Sequence, residues 1–160
     1  MRTVATIGVY GWSLERWLAA LRAADVSVVA DLRQRRGVRG REYAWANAQR
    51  LQTALRTAGL GYAHHQELAP TTELRHVQYR EDDRLGVGKR SRAALAPEYR
   101  DRYLHEILDP AGLDSLVAAF PATGHAALLC VERDPAACHR SLVAERLAAD
   151  AGVGIVHLLP

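Results

Sequence analysis

Five short apolar runs, most of them separated by stretches with helical spacing, set the plan of this chain. Thr3–Ile7 is a β-branched run and predicts a first strand. A turn follows at Gly8-Val9-Tyr10-Gly11-Trp12. Ser13 then stands where a helix N-cap belongs, and Glu15 is early enough to complement the helix dipole. Leu14, Trp17, Leu18 and Leu21 recur at helical spacing up to about Ala24. Val26–Ala30 is the second strand and runs into Asp31-Leu32-Arg33. Ala46–Ala58 reads as a helix with Leu51 and Leu55 inward and Gly59 as its stop, and Leu60–His64 is a short third strand. The adjacent His64 and His65, with Glu67, read as structural or solvent-exposed groups.

Pro97 opens a helix through Ile107, and a second short helix over Ala111–Phe120 follows the Asp109-Pro110 break. Ala126–Val131 is the fourth strand. Glu132–Pro135 breaks the pattern, and Ala136 begins a helix with Leu142, Val143 and Leu147 on its apolar face. Gly152 stops it, and Gly154–Leu158 is the last strand. Strands alternating with helices predict the α/β class. The expected architecture is a single doubly wound parallel sheet of about five strands with helices on both faces, Rossmann-like, in one domain over residues 1–160.

Residues 71–92 break the alternation. They are polar and charged without a clear apolar period, and predict a mobile loop within the domain. Gly86-Val87-Gly88-Lys89-Arg90 shares glycines and a lysine with phosphate-binding loops. It lacks the full G-x-x-x-x-G-K-[ST] pattern and follows no strand, so it is set aside.

Composition narrows the class. The chain has 160 residues, enough to bury one real core, and its 49% apolar and 24% charged content is that of a soluble globular protein. No stretch approaches the ~18 apolar residues of a membrane helix. Met1-Arg2-Thr3-Val4 enters a strand directly, without a signal-peptide layout, so a cytoplasmic protein with no membrane partner is expected. The two cysteines do not make a disulfide framework, and reduced thiols are expected in that compartment. The net charge of +3 hints at an anionic partner, a small molecule or a nucleic acid. Lys89 is the sole lysine; the remaining cations are arginines, whose planar fork suits phosphates and carboxylates. GC-rich coding accounts equally for an arginine bias, so the local clusters carry more weight than the total.

The candidate chemistry lies where the fourth strand ends and the next helix begins. Cys130, Glu132, Cys138, His139 and Arg140 gather in that stretch. The first N–H groups of a helix lack intrahelical partners, and the dipole adds positive charge there, so such an end favours anions and ionised thiols. In open parallel sheets, ligands bind outside the carboxyl ends of the strands. Asp31 and Arg33 end the second strand, and Gly8 and Tyr10 lie in the turn after the first. The loop Gln34–Glu42 adds Arg35, Arg36, Arg39 and Arg41, which suit phosphate contacts, with Tyr43 and Trp45 offering aromatic surface beside them.

Cys138 is the candidate nucleophile, Glu132 a candidate general base or orienting partner of His139 or Arg140, and Asp31 a third candidate catalytic group. Arg140, Arg33, His139, Gly8, Tyr10, Arg36 and Arg39 are the candidate ligand-binding residues. Cys130, inside an apolar strand, reads as a small buried side chain. No cofactor and no metal is assigned.

The pattern Cys130-x-Glu132-x-x-Pro135-x-x-Cys138-His139-Arg140, after an apolar strand and opening a helix, resembles the signature of the domain-of-unknown-function family 488 (DUF488). Thr6-Ile7-Gly8, Ser13-Leu14-Glu15, Asp31-Leu32-Arg33, Tyr62-Ala63-His64 with Glu67-Leu68, and Val156-His157-Leu158 resemble other segments of that family in order and spacing. This chain has Gly8-Val9-Tyr10-Gly11-Trp12-Ser13 where the family usually has Gly-His-Ser, and Ala69-Pro70 where it often has Gly-Gly. The resemblance implies the fold and the place of the site. It implies no particular reaction.

Three functional readings and one structural reading remain open at this point. The first is an enzyme acting on a nucleotide or nucleic acid through a Cys/Glu/Arg site. The second is a non-catalytic module for an anionic ligand or nucleic acid. The third is a thiol redox or metal site made by Cys130, Cys138 and His139, disfavoured because seven residues separate the cysteines and there is no C-x-x-C. The structural reading has Cys138-His139-Arg140 capping the helix, with Arg140 paired to Glu132 or Asp31.

Overall fold

A computed structural model describes residues 2–160. Five parallel strands form one sheet: β1 (Thr3–Ile7), β2 (Val26–Asp31), β3 (Gly61–His64), β4 (His125–Leu129) and β5 (Gly154–Leu158), in the order β3-β2-β4-β1-β5. The helices are α1 (Leu14–Ala23), α2 (Ala48–Thr57), α3 (Thr72–Leu85), α4 (Pro97–Tyr103), α5 (Asp109–Ala111), α6 (Asp114–Ala118) and α7 (His139–Ala151).

Side chains alternate between the two faces of a strand, so a sheet covered on both sides must be apolar throughout. In β4, Leu128 packs into one core, while Ala127 and Leu129 pack into the other. The first core collects Tyr99 and Tyr103 of α4 with Leu142, Val143 and Leu147 of α7. The second collects Trp17 and Leu21 of α1 with Leu51 and Leu55 of α2. Trp45, partly buried, packs tilted against Trp17 with ring centroids 5.4 Å apart, so one side of its ring is taken up by the second core. The fold is the doubly wound α/β sheet that the alternation predicts.

The loop expected over residues 71–92 is helical through residue 85 and irregular only after it. Most of the stretch is α3, capped by the Thr71 hydroxyl, which accepts from the Leu74 N–H at 3.2 Å. Gly86, at φ 70°, closes the helix, and the Val87 N–H reaches back to the Asp82 carbonyl at 2.9 Å. The buried face of this helix is Leu74, Val77, Gln78 and Asp82, half of it polar, and so it has no hydrophobic period to read. Gln78 Nε2 donates to Asp82 at 2.9 Å, and Gln78 Oε1 accepts from the Ala96 N–H at 2.8 Å.

Two boundaries also differ from expectation. No break occurs at Asp109-Pro110. A π turn over Leu104–Leu108 carries the chain from α4 into α5, and the wider turn accommodates a ring that would clash with the carbonyl four residues back in a regular helix. The helix expected from Ala136 begins at His139. A 3₁₀ turn over Pro135–Ala137 precedes it, and Cys138 is its extended N-cap at φ −142° and ψ 143°.

Candidate functional site

The site is built where the carboxyl ends of β1, β2 and β4 meet. Beyond β4, the Val131 carbonyl accepts from the N–H groups of Val9 and Tyr10 at 2.9 and 3.1 Å. This pins the turn after β1 against the turn after β4. The approach is so close that a Cβ at Gly8 would lie 2.1 Å from the Glu132 carbonyl oxygen, so only glycine fits there. Asp134 then caps the 3₁₀ turn through the Ala136 N–H at 2.9 Å. That turn delivers Cys138 to the head of α7, with its thiol beside that of Cys130.

Cys130, Cys138 and His139 form one buried cluster. His139 Nδ1 lies 3.6 Å from Cys130 Sγ and 3.9 Å from Cys138 Sγ. Its Nε2 donates to the Leu32 carbonyl at 2.9 Å, which fixes the ring and turns Nδ1 toward the two sulfurs. The Tyr103 ring packs on the imidazole with centroids 5.4 Å apart. Cys130 Sγ also lies 3.5 Å from Glu132 Oε2.

The electrostatics separate the two thiols. Burial opposes ionisation of Cys138, but a hydrogen bond from Cys130, the Arg140 guanidinium and His139 outweigh it and hold this thiol well below its ordinary value. Burial and the neighbouring Cys138 charge push Cys130 well up. The Cys130 proton has two acceptors, Cys138 sulfur and Glu132 Oε2, and it stabilises whichever carries charge. Burial is also the main reason Glu132 is raised, with the Cys138 charge adding to it and Lys89 and Arg92 opposing. His139 is raised as well: burial lowers it, but Cys138 and the Leu32 carbonyl more than compensate. The surroundings thus favour the charged forms of Cys138 and His139 and the neutral form of Cys130.

Arg140 is fully buried and does not meet a carboxylate. Nη1 donates to the Glu132 backbone carbonyl at 2.6 Å and Nη2 to the Arg133 carbonyl at 3.2 Å, while Nε has no partner. The side-chain pairing of Arg140 with Glu132 or Asp31, expected under the structural reading, does not form. The Glu132 carboxylate instead meets Arg92 Nη1 at 3.3 Å, and Arg92 is clamped by Asp82 at 2.6–3.0 Å.

The cluster forms the floor of a cleft of about 750 Å³, within the range of small-molecule sites. Seven cationic side chains line it, Arg33, Arg35, Arg39, Arg75, Lys89, Arg90 and Arg92, against one carboxylate, Glu132. Among the described residues Arg35, Arg39, Arg75 and Lys89 have no ion-pair partner.

Of the residues singled out in the sequence, Cys138, Glu132, His139, Arg33, Tyr10 and Arg39 line this cleft. Asp31, Arg140, Gly8 and Arg36 do not. Asp31 is fully buried, and its oxygens are taken up by Arg33 at 2.8–3.1 Å and by the Tyr62 hydroxyl at 2.7 Å. Arg36 joins that chain of bonds through Tyr62 at 3.2 Å. Arg92, Lys89, Arg75, Tyr79 and Tyr99 line the cleft without having been singled out. Only Lys89 carried a sequence signal, in the glycine-flanked stretch Gly86–Lys89.

The gathering of Cys130, Cys138 and His139 expected from the sequence is present, with ligand atoms all within 4.8 Å of one another although seven residues separate the cysteines. The 3₁₀ turn supplies the reversal that a C-x-x-C spacing would otherwise provide. Three such donors, with the imidazole oriented by a carbonyl, could hold a soft divalent cation.

Residues 13–147, which contain this cluster, match the family model described as domain of unknown function DUF488. The chain belongs to the DUF488 family. Within the DUF488 match lie Asp31-Leu32-Arg33, Tyr62-Ala63-His64 and the whole run from Cys130 to Arg140; Thr6-Ile7-Gly8 and Val156-His157-Leu158 fall outside it. No curated protein and no solved structure matches the chain significantly. No helix among the described residues is long and apolar enough to cross a membrane.

Proposed function

We propose that this DUF488 protein is a cysteine-dependent enzyme acting on a phosphate-bearing nucleotide substrate. The observation that carries the reading is the position of Cys138. Its sulfur lies 3.9 Å from His139 Nδ1 at the floor of a cleft with seven cations and one carboxylate. A thiol becomes a useful nucleophile when a neighbouring cation stabilises its charged form. Arg140 and His139 are those neighbours. The surplus of cations concentrates an anionic substrate over the sulfur. Tyr10, Tyr79 and Tyr99 line the same cleft, and the half-buried Tyr79 gives it an aromatic ring on which a base can lie.

In this reading Cys138 attacks an electrophilic centre of the substrate. The leaving group departs with its bonding electrons and takes a proton from Glu132, the one carboxyl group of the cleft, where burial favours the protonated form. Water, deprotonated by the resulting carboxylate, then releases the product and restores the thiolate. Asp31 has no part in this sequence, because its oxygens are occupied and it does not face the cleft.

The test compares wild type with Cys138→Ser across nucleotides and short oligonucleotides, with turnover followed by mass spectrometry and affinity by calorimetry. The expected result is retained binding and turnover reduced by about 10³-fold or more. Binding without turnover in wild type would overturn the enzyme in favour of a binding module. Stoichiometric zinc in the purified protein, with Cys138 unreactive until it is removed, would overturn the nucleophile in favour of a metal centre.

A further inference from the structure

The chain's one lysine stands on the segment between α3 and α4, residues 86–96. This segment spans the cleft from one rim to the other. On the far rim Arg90 lies over the rings of Tyr10 and Tyr43, at 5.1 and 5.2 Å, and bonds Glu42 at 3.2 Å and the Arg39 carbonyl at 3.0 Å. On the near side Arg92 is fixed by Asp82 and Glu132. A tight turn links them, with the Ser91 N–H donating to the Gly88 carbonyl at 3.1 Å. Both arginines are therefore spent on holding the segment in place.

Lys89 immediately precedes these two anchors and forms no bond of its own among the described residues. It is half-buried and lines the cleft with Cys130, Cys138 and Glu132. Among the described residues its ammonium makes no hydrogen bond and no ion pair. A partly desolvated ammonium without a partner is unfavourable unless a ligand supplies one. The nearby Glu132 carboxylate favours its charged form over the opposing effect of burial.

We propose that Lys89 is the phosphoryl-binding residue of the cleft and holds the substrate's phosphate against the Cys138 thiol. This deepens the reading of the cleft as a thiol site for a phosphate-bearing substrate and rests on it. A single carboxylate would need one cation. Lys89, Arg35, Arg39 and Arg75 are all unpaired by carboxylates and line one cleft, which suits a multiply charged group. The sequence dismissed this lysine because no strand precedes Gly86-Val87-Gly88. The fold replaces the missing strand by anchoring the segment through Arg90 and Arg92, just after Lys89.

The test uses the thiol as a reporter and needs no knowledge of the reaction. Cys138 is alkylated with iodoacetate, which is anionic, and with iodoacetamide, which is neutral, in wild type, Lys89→Met and Lys89→Arg. Peptide mass spectrometry assigns the labelled thiol. Lys89→Met is expected to slow iodoacetate about tenfold and leave iodoacetamide within about twofold, as the loss of one nearby charge requires. Lys89→Arg is expected to restore most of the difference. Inorganic phosphate should protect wild type against iodoacetate and fail to protect Lys89→Met. An equal effect on both reagents, or none on either, would overturn the assignment. If Cys138 resists both reagents, the thiol reading has failed by itself, and calorimetric titration with inorganic phosphate decides Lys89. A tenfold or greater loss of affinity in Lys89→Met sustains it, and equal affinities reject it.

Discussion

Replacing Asp31 by alanine should be among the most damaging single changes in this protein, for a reason that has nothing to do with chemistry on a substrate. Asp31 closes β2 between Leu129 of β4 and His64 of β3. It is 0% exposed and Arg33 is 2% exposed. The carboxylate accepts from the Arg33 backbone N–H, Nε and Nη2 and from the Tyr62 hydroxyl, at 2.7–3.1 Å. Arg33 Nη1 spends its remaining reach on the buried Ala46 carbonyl at 2.8 Å. In Asp31→Ala the guanidinium stays buried with no counter-charge, which costs about 3–5 kcal/mol. That is a large part of the roughly 5–15 kcal/mol by which domains are stable. Arg33→Met leaves a buried carboxylate that keeps two of its donors, so the lower end of that range, about 3 kcal/mol, applies. The double variant carries no buried charge. Its remaining defects are the Ala46 carbonyl without a donor and the residue-33 N–H and Tyr62 hydroxyl without their acceptor, each already lost in one of the single variants, so the double variant departs from their sum by the buried charge it no longer carries. The pair should therefore be strongly non-additive, with the double variant at least ~3 kcal/mol more stable than the sum of the singles implies. Urea unfolding at pH 7 measures this, read as midpoint shifts at constant slope. Additive losses, or a cost below ~1 kcal/mol for Asp31→Ala, would refute the argument that this pair is a buried scaffold.

Two further outcomes follow from the same geometry. The rate of Cys138 alkylation by iodoacetamide should rise with pH to a plateau whose midpoint lies below the ~8.5 of a free cysteine, because the thiolate is the reactive form. Arg140→Met should move that midpoint upward, since it removes one of the charges that hold the thiol down; a midpoint unchanged by the substitution would detach Arg140 from the thiol. Gly8→Ala places a Cβ 2.1 Å from the Glu132 carbonyl and forces the turns after β1 and β4 apart. A loss of about 1–3 kcal/mol is expected, seen as a melting temperature lower by roughly 2–12 °C, and an unchanged melting temperature would contradict the close approach.

The strands and most helices were legible because a sheet covered on both faces needs apolar residues throughout, and Thr3–Ile7, Val26–Ala30 and Ala126–Val131 supply them. α3 was not legible, because Gln78 and Asp82 occupy the inward face that periodicity expects to be apolar. Their partners, the Ala96 backbone and Arg92, come from a segment after the helix, and no local pattern announces such a pairing. The site was legible at Cys138, Glu132, His139 and Tyr10, which are near strand or helix ends. Arg92 was invisible for the same reason as α3, since it bonds Asp82 ten residues back and Glu132 forty residues on. The grouping of Cys130 with Cys138 depends on the 3₁₀ turn at Pro135–Ala137, whose reversal is not encoded in the spacing of the cysteines.

The arginine bias of the chain acquires a meaning once the arginines are sorted by what they touch. Arg33, Arg92 and Arg140 are buried, and each binds two different groups at once. Arg33 joins the end of β2 to the Ala46 carbonyl, Arg92 joins α3 to Glu132, and Arg140 joins two successive carbonyls after β4. A guanidinium can do this because its donors diverge in a fixed plane and its charge does not come off. A lysine at any of these places would bring one compact charge and leave a second acceptor unmet. Arg35, Arg39 and Arg75 differ: they line the cleft and have no carboxylate partner. The buried set positions the ends of β2 and β4 so that the thiol and its imidazole meet. The cleft-lining set, joined by the single lysine, leaves the space above them positively charged.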